Sequence, residues 1–367
     1  GIGVAALLAA FLVAQVATPV VKTLAFRVGA VDVPKDARRM HDHPIPRMGG
    51  LAIFLGFVLS VLLFAELTSQ LRGMLLGAVI IVVLGIFDDI YALSAKLKLA
   101  VQIVSALVAV FSGNVIETLS NPNVFSADPY WDLGWLSIPA TVLWIVAITN
   151  AVNLIDGLDG LACGVSTISS MTLLVISLLV SDAPVAILMA ALAGGCLGFL
   201  PYNLNPAKIF MGDTGSTFLG YILAVVSIQG LFKFYTIISF AVPFLMLGLP
   251  IFDTCFAFIR RIAHGQSPMH ADRSHVHHRL IDMGFNQKQA VAVLYVISAI
   301  LGLSAVVLTT SGPVKAMILL LALCFAGGLA ALIYTGSSGR RNGRREESSA
   351  GPGDGGERLE EKEEDKP

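Results

Sequence analysis

Charge is scarce in this sequence. Only 13% of its 367 residues are Asp, Glu, Lys or Arg, against 56% hydrophobic residues and a mean hydropathy of +0.80. One core cannot take up that much apolar surface, so a soluble globular protein is excluded and the bilayer must serve as solvent. Cysteine is scarce too. Cys163, Cys196, Cys255 and Cys324 are widely separated and lie in or beside apolar stretches, which argues against a disulfide framework and for small apolar packing. No signal peptide is visible, and the chain opens on Gly1 inside a membrane-like run. The first span is therefore expected to act as its own insertion signal, and whether natural residues precede it stays open. A clear internal repeat is also missing. The formal net charge of −1 says little by itself, because charge in such a chain matters by side of the membrane; no nucleic-acid partner is expected.

What is present is a series of apolar runs. They lie at roughly 3–26, 49–67, 72–91, 97–113, 135–152, 162–181, 183–201, 215–231, 235–258, 290–310 and 314–335. At ~20 residues per span these predict an all-α polytopic membrane protein of about eleven transmembrane helices. Residues 1–335 then form the membrane domain. The tail 336–367, rich in Gly, Ser and charge, is expected to be disordered, with Arg340, Arg341, Arg344 and Arg345 resting on lipid headgroups. Alternating sides along the runs puts 21 of the 24 Lys and Arg on one face, leaving Arg72, Lys233 and Lys315 on the other. The positive-inside rule then predicts the N-terminus outside and the C-terminus in the cytoplasm. All seven histidines fall on the cytoplasmic side. The main outer loop, residues 113–134, reads as a spacer with an aromatic belt at Tyr130, Trp131 and Trp135.

Four polar stretches interrupt the cytoplasmic helix ends. In "GIFDDIYALSAKLKL", Asp88 and Asp89 stand side by side, where each bare carboxylate costs several kcal/mol to bury. In "NAVNLIDGLDGLA", Asn150, Asn153, Asp156 and Asp159 recur every three residues and form one polar stripe if the helix continues, while Gly157 and Gly160 permit a turn. In "YNLNPAKIFMGDTGS", one of Asp213, Thr214 and Ser216 is expected to cap the next helix, whose N-terminus would suit a phosphate. The fourth, "HADRSHVHHRL", holds His275, His277 and His278. Each has a plain alternative: carboxylates in the headgroup region, interhelical hydrogen-bonding glue, an ordinary cap, or a zinc site without the usual ligands. Their coincidence on one face points instead to one cytoplasmic site. Hard carboxylate oxygens with little cysteine suit Mg²⁺ bridging phosphates, with Mn²⁺ as the substitute. A polytopic scaffold is needed when one reactant is itself a lipid, which suggests a lipid phosphate meeting a soluble phosphorylated donor.

These stretches, with "VDVPKDARRMHDHPIPRMGGLAI" ahead of them, resemble in content and order the polyprenyl-phosphate N-acetylhexosamine-1-phosphate transferases, from Val31 to about Leu280. The resemblance implies transfer of a sugar 1-phosphate from a UDP-sugar to undecaprenyl phosphate at the cytoplasmic face of the cell membrane. It implies that Asp88 or Asp89 activates the lipid phosphate or helps to hold Mg²⁺, and that Asp213 is a metal ligand. Phe210 matches a position that stacks on uracil. Asp156 and Asp159 match a nucleotide-binding segment, with Asn150, Asn153 and Asn203 lining the cleft, and the histidines match a motif for donor and diphosphate handling. Arg47, Lys98, Arg273 and Arg279 are candidates for phosphate contacts because they are charges beside these motifs.

The branch that starts peptidoglycan shows three consecutive histidines, whereas this chain has His275-Val276-His277-His278. That departure favours UDP-N-acetylglucosamine, or a related UDP-N-acetylhexosamine, over UDP-MurNAc-pentapeptide. The expected product starts teichoic acid, O-antigen, lipopolysaccharide or a similar cell-envelope polymer. Association as a homodimer is compatible with this reading. A nucleotide-sugar or lipid-linked sugar transporter is the rival class, but it calls for repeats and polar groups near the midplane. A CDP-alcohol phosphotransferase calls for an Asp-Gly and Ala-Arg signature on one helix that is not found.

Overall fold

The computed structural model describes residues 1–34, 42–121, 123, 125–230, 241–265 and 275–310, together with 312, 319, 321, 323, 324 and 327. Residues up to Ala316 form one compact unit, and the second, Met317–Pro367, is described only at isolated positions. The eleventh apolar run lies almost wholly outside the described residues, and the arginine cluster and charged tail lie outside them altogether.

The helices are α1 (Ile2–Val28), α2 (Gly50–Phe64), α3 (Ser69–Tyr91), α4 (Ala95–Phe111), α5 (Ser137–Leu154), α6 (Leu161–Leu179), α7 (Ala183–Asn203), α8 (Gly212–Gly230), α9 (Ala241–Met246), α10 (Gly248–Ala263), α11 (Val276–Asp282) and α12 (Gln287–Thr310). Two short antiparallel ribbons complete the unit. Strands β1 (Val31–Asp32) and β2 (Ile45–Pro46) pair Val31 with Pro46, and β3 (Thr118–Ser120) and β4 (Tyr130–Asp132) pair Leu119 with Trp131.

The first eight apolar runs each coincide with one helix, and the tenth with α12. Among the described residues, α1, α3, α5 with its preceding turn, α6, α7 and α12 are long and apolar enough to cross a membrane, and α2 is apolar but shorter. Six helices of the described residues therefore meet the length and hydropathy requirement, while the eleventh run and the start of the ninth lie almost wholly outside those residues. The ninth run departs most clearly. Its first residues, to 240, lie outside the described set, and the rest is divided at Leu247 into α9 and α10. Pro250 has no N–H to offer the carbonyl four residues back, so a continuous helix would lose a bond there.

Helix α8 forms the centre. Gly212 and every residue from Thr214 to Ile228 are buried, and α2, α3, α5 and α6 pack around it. A helix covered on all sides is a core element. Its first turn meets its neighbours at main-chain distance: a Cβ added at Gly85 of α3 would lie 2.5 Å from Thr214 Cα. On α1, Ala6, Ala10, Ala14 and Thr18 turn inward while Leu8, Leu12, Val16 and Val20 stay exposed, which fits a helix with one face to lipid. Since α3, α5 and α7 end where α4, α6 and α8 begin, their polar termini gather at one end of the bundle.

Candidate active site

The two adjacent aspartates of α3 take different work. Asp89 is fully buried, and its carboxylate reaches across to the start of α8. The Asp213 N–H donates to Oδ1 at 2.9 Å, and the Thr214 N–H and hydroxyl donate to Oδ2 at 3.1 and 2.6 Å. Arg47 Nε lies 3.7 Å from Oδ1. Asp89 thus caps α8 from another helix, in place of the local cap expected of Asp213, Thr214 or Ser216. A free N-terminus has orphan N–H groups and partial positive charge, and a carboxylate answers both.

Asp88 faces the other way. Its Oδ1 accepts the Leu93 N–H at 2.8 Å, closing the end of α3, and its Oδ2 lies 3.2 Å from Lys98 Nζ. The same ammonium lies 3.4 Å from Asp213 Oδ2. Lys98 therefore bridges two carboxylates brought together from α3 and α8. Gln102, Asn150, Asn153 and Thr217 line the same cleft. Asn150 donates to Gln102 Oε1 at 2.7 Å, and Asn153 Oδ1 accepts the Ser216 hydroxyl at 2.6 Å.

The proposed polar stripe through Asp159 does not form. Helix α5 stops at Leu154, and Gly160, at φ 78°, turns the chain into α6, so Asp156 and Asp159 sit in a loop. Asp159 Oδ2 accepts from Asn205 Nδ2 at 3.0 Å and from the Ala207 N–H at 3.1 Å. Asn203 accepts the Gly160 N–H at 3.1 Å and donates to the Ile209 carbonyl at 3.1 Å. Both side chains tie this loop to the connection ahead of α8. Asp156, by contrast, has no hydrogen-bond or ion-pair partner for its carboxylate among the described residues. Burial pushes that carboxyl up to about 7 against the pull of Arg47, and the charges of Asp89 and Asp159 add to the rise. Phe210 is anchored by its main chain, its N–H donating to the Pro46 carbonyl at 2.8 Å and its carbonyl accepting the Gly49 N–H at 2.9 Å.

The histidine segment opens α11. His275 Nδ1 lies 3.0 Å from Asp253 Oδ2, and the Val276 N–H donates to Asp253 Oδ1 at 2.8 Å. The His277 ring stacks parallel to His275 with centroids 5.7 Å apart and lies 4.2 Å from that of His278. Burial and then His278 push His277 down to about 3, with His275 acting the same way and Asp253 opposing, so this imidazole is neutral at physiological pH. Arg279 lies over the Phe256 ring, 5.2 Å from its centroid, on the α10 side. Arg273 lies outside the described residues.

Sequence comparison fits this geometry. The family model for glycosyl transferase family 4 matches residues 71–231, the stretch from α3 through α8. The chain is 46% identical to a probable undecaprenyl-phosphate N-acetylglucosaminyl 1-phosphate transferase of Bacillus subtilis, over 84% of this chain and 85% of that one. The chain belongs to glycosyl transferase family 4. It is also 36% identical to a decaprenyl-phosphate N-acetylglucosaminephosphotransferase of Mycolicibacterium smegmatis, over 81% of this chain and 80% of the relative. A phospho-N-acetylmuramoyl-pentapeptide-transferase of Caldicellulosiruptor bescii is 34% identical over 59% of this chain and 70% of its own length. The family match encloses the Asp88, Lys98 and Asp213 cluster, and leaves Arg47 and the histidine segment on either side.

Gln102, Thr217 and Asp253 of this family 4 chain escaped the sequence reading. Gln102 sits one helical turn beyond Lys98, inside an apolar run, and nothing in its neighbourhood marks it. Asp253 carried a signal, since a lone carboxylate within an apolar run demands a partner.

Proposed function

We propose that this chain transfers N-acetylglucosamine 1-phosphate from UDP-GlcNAc to undecaprenyl phosphate on the cytoplasmic face of the membrane, releasing UMP and starting a cell-envelope polysaccharide. The observation that carries the reading is the bridge from Lys98 to Asp88 and Asp213 in a cleft at the helix ends. The names of the relatives support a GlcNAc-1-phosphate donor, and the broken histidine run of this chain agrees with them.

The residues fit a divalent cation. Asp88 Oδ2 and Asp213 Oδ2 already converge on one cationic atom, and Mg²⁺ takes only one or two carboxylates alongside waters and substrate phosphates. Asp88 and Asp213 would hold it, and when bound it would neutralise charge on the diphosphate. Asp89 is the poorer ligand, because both its oxygens are engaged by α8 and Arg47.

In the reaction, an oxygen of the lipid phosphate attacks the sugar-proximal phosphorus of the donor. A new P–O bond forms, the bond from that phosphorus to the bridging oxygen breaks, and UMP leaves with the bond's electron pair. Lys98 would offset negative charge at the acceptor or the diphosphate, and Asp88, itself only a hydrogen-bond acceptor, would orient the attacking phosphate through the Lys98 ammonium it holds. A phosphomonoester's second pKa is about 6, so the acceptor needs little help from a base near neutrality. Asn150 and Asn153 would line the donor's path, and Asp156, left without a partner, would receive a polar group of the nucleotide.

The test is UMP release by purified protein given undecaprenyl phosphate and UDP-GlcNAc, with and without Mg²⁺. Metal- and lipid-dependent UMP is expected. Turnover only with another UDP-N-acetylhexosamine would change the donor, and none with any UDP-sugar by folded protein would overturn the assignment.

A further inference from the structure

Asp253 is 2% exposed, on a helix whose neighbouring residues Phe252, Phe256 and Phe258 are aromatic. A buried carboxylate with both oxygens engaged is costly to keep unless the arrangement it fixes is worth having. What it fixes is narrow. One oxygen faces the His275 ring and the other takes the first N–H of α11, so a single side chain sets both the ring and the start of the helix that carries it. The consequence reaches the nucleotide loop in two steps. The His275 and His277 rings are parallel to within 2°, and a Cβ added at Gly157 would lie 2.2 Å from His277 Nε2. The imidazole therefore rests directly on the main chain beside Asp156, where only glycine leaves room.

We propose that Asp253 is a positioning residue for donor capture: through His275 it seats α11 so that His277 packs on Gly157 and sets the loop carrying Asp156 and Asp159. The inference rests on the reading that this loop and the histidine segment receive the UDP-sugar. It adds a residue that touches neither substrate and lies outside the stretch matched by the family model. The loop between α5 and α6 and the histidine segment would thus be held in register by a carboxylate–imidazole pair, as outer carboxylates orient histidines in other sites.

The bond is tested from both ends. Asp253→Asn keeps an acceptor for the Val276 N–H but places an amide, in place of a carboxylate, against His275. His275→Gln leaves Asp253 intact and removes the ring. Each variant is first checked for an unchanged elution profile and thermal midpoint in detergent. UMP release is then measured with donor and lipid acceptor varied separately. Each change is expected to raise the KM for UDP-GlcNAc at least about tenfold, with the KM for undecaprenyl phosphate within about twofold. The double variant is expected to be no worse than the poorer single one, because both act through one contact. Losses that multiply in the double variant, an equal rise in both KM values, or an unaltered donor KM in either folded variant would overturn the proposal. If one variant fails to fold, the other decides. A parent enzyme that turns over with donor KM unmoved in the variants sinks this inference alone, whereas a folded parent that releases no UMP from any UDP-sugar sinks the functional reading and this inference with it.

Discussion

Adjacent aspartates at a helix end have the same chemistry and different surroundings. Asp89 is closed in by three donors and Arg47, whereas Asp88 and Asp213 share one ammonium at the cleft. Their substitutions should therefore separate. Asp89→Ala orphans the α8 cap and leaves Arg47 beside an uncharged neighbour, and should cost about 3 kcal/mol or more in stability, read as a lowered thermal midpoint. Asp213→Asn should leave the midpoint near that of the parent and abolish metal-dependent UMP release; near-normal rates would remove it from the ligand set. Asp156 makes a pH prediction. Its carboxyl ordinarily titrates at 3.8 and here at about 7, so the folded protein holds a proton that the unfolded chain has lost across that window. Its contribution is fully present below 3.8 and is lost as pH rises through 7. The thermal midpoint should therefore fall more steeply between pH 6 and 8 in the parent than in Asp156→Asn, and identical slopes would contradict the shift. These environments were not legible in the sequence. Motif spacing marked Asp88, Asp89 and Asp213 as a group, but which carboxylate caps and which one faces the cleft depends on contacts between residues more than a hundred positions apart.

At the scale of elements, the site is as sound as the seating of α8. Its first turn touches α2 and α3 through main-chain atoms, at Gly50 and Gly85, with no side chain between to absorb a change. Gly85→Ala should push Thr214 away from Asp89, costing about 1–3 kcal/mol and at least about tenfold in UMP release. Gly3→Ala, which meets nothing within 4 Å, should change neither. Helix positions were the most legible part of the chain, because an apolar run bounded by polar residues has one economical solution in a bilayer. What escaped was where a run is cut. The interruption at Leu247 and the stop of α5 at Leu154 depend on proline and glycine positions that hydropathy windows average away, and α11 is too short and polar to register in them.

For the molecule as a whole, the alternation of helix directions places every polar motif within the described residues at one end of the bundle. The positive-inside count, from Lys and Arg alone, assigns that end to the cytoplasm as an expectation. It predicts that a single cysteine at Ser126 in a cysteine-free background is labelled by an impermeant maleimide in intact cells, and one at Lys96 only after permeabilisation. The reverse pattern would invert the topology. The bond between Asp89 and α8 also has a consequence in time. Asp213 lies 124 residues after Asp89, so at about 5–20 residues per second a ribosome needs roughly 6–25 s to supply the partner. Throughout that interval the paired carboxylates of the newborn third helix have no α8 to hold. A translocation machine must keep that end of the helix in contact with water, and a chain stalled before Gly212 should be among its easiest substrates for quality-control proteolysis.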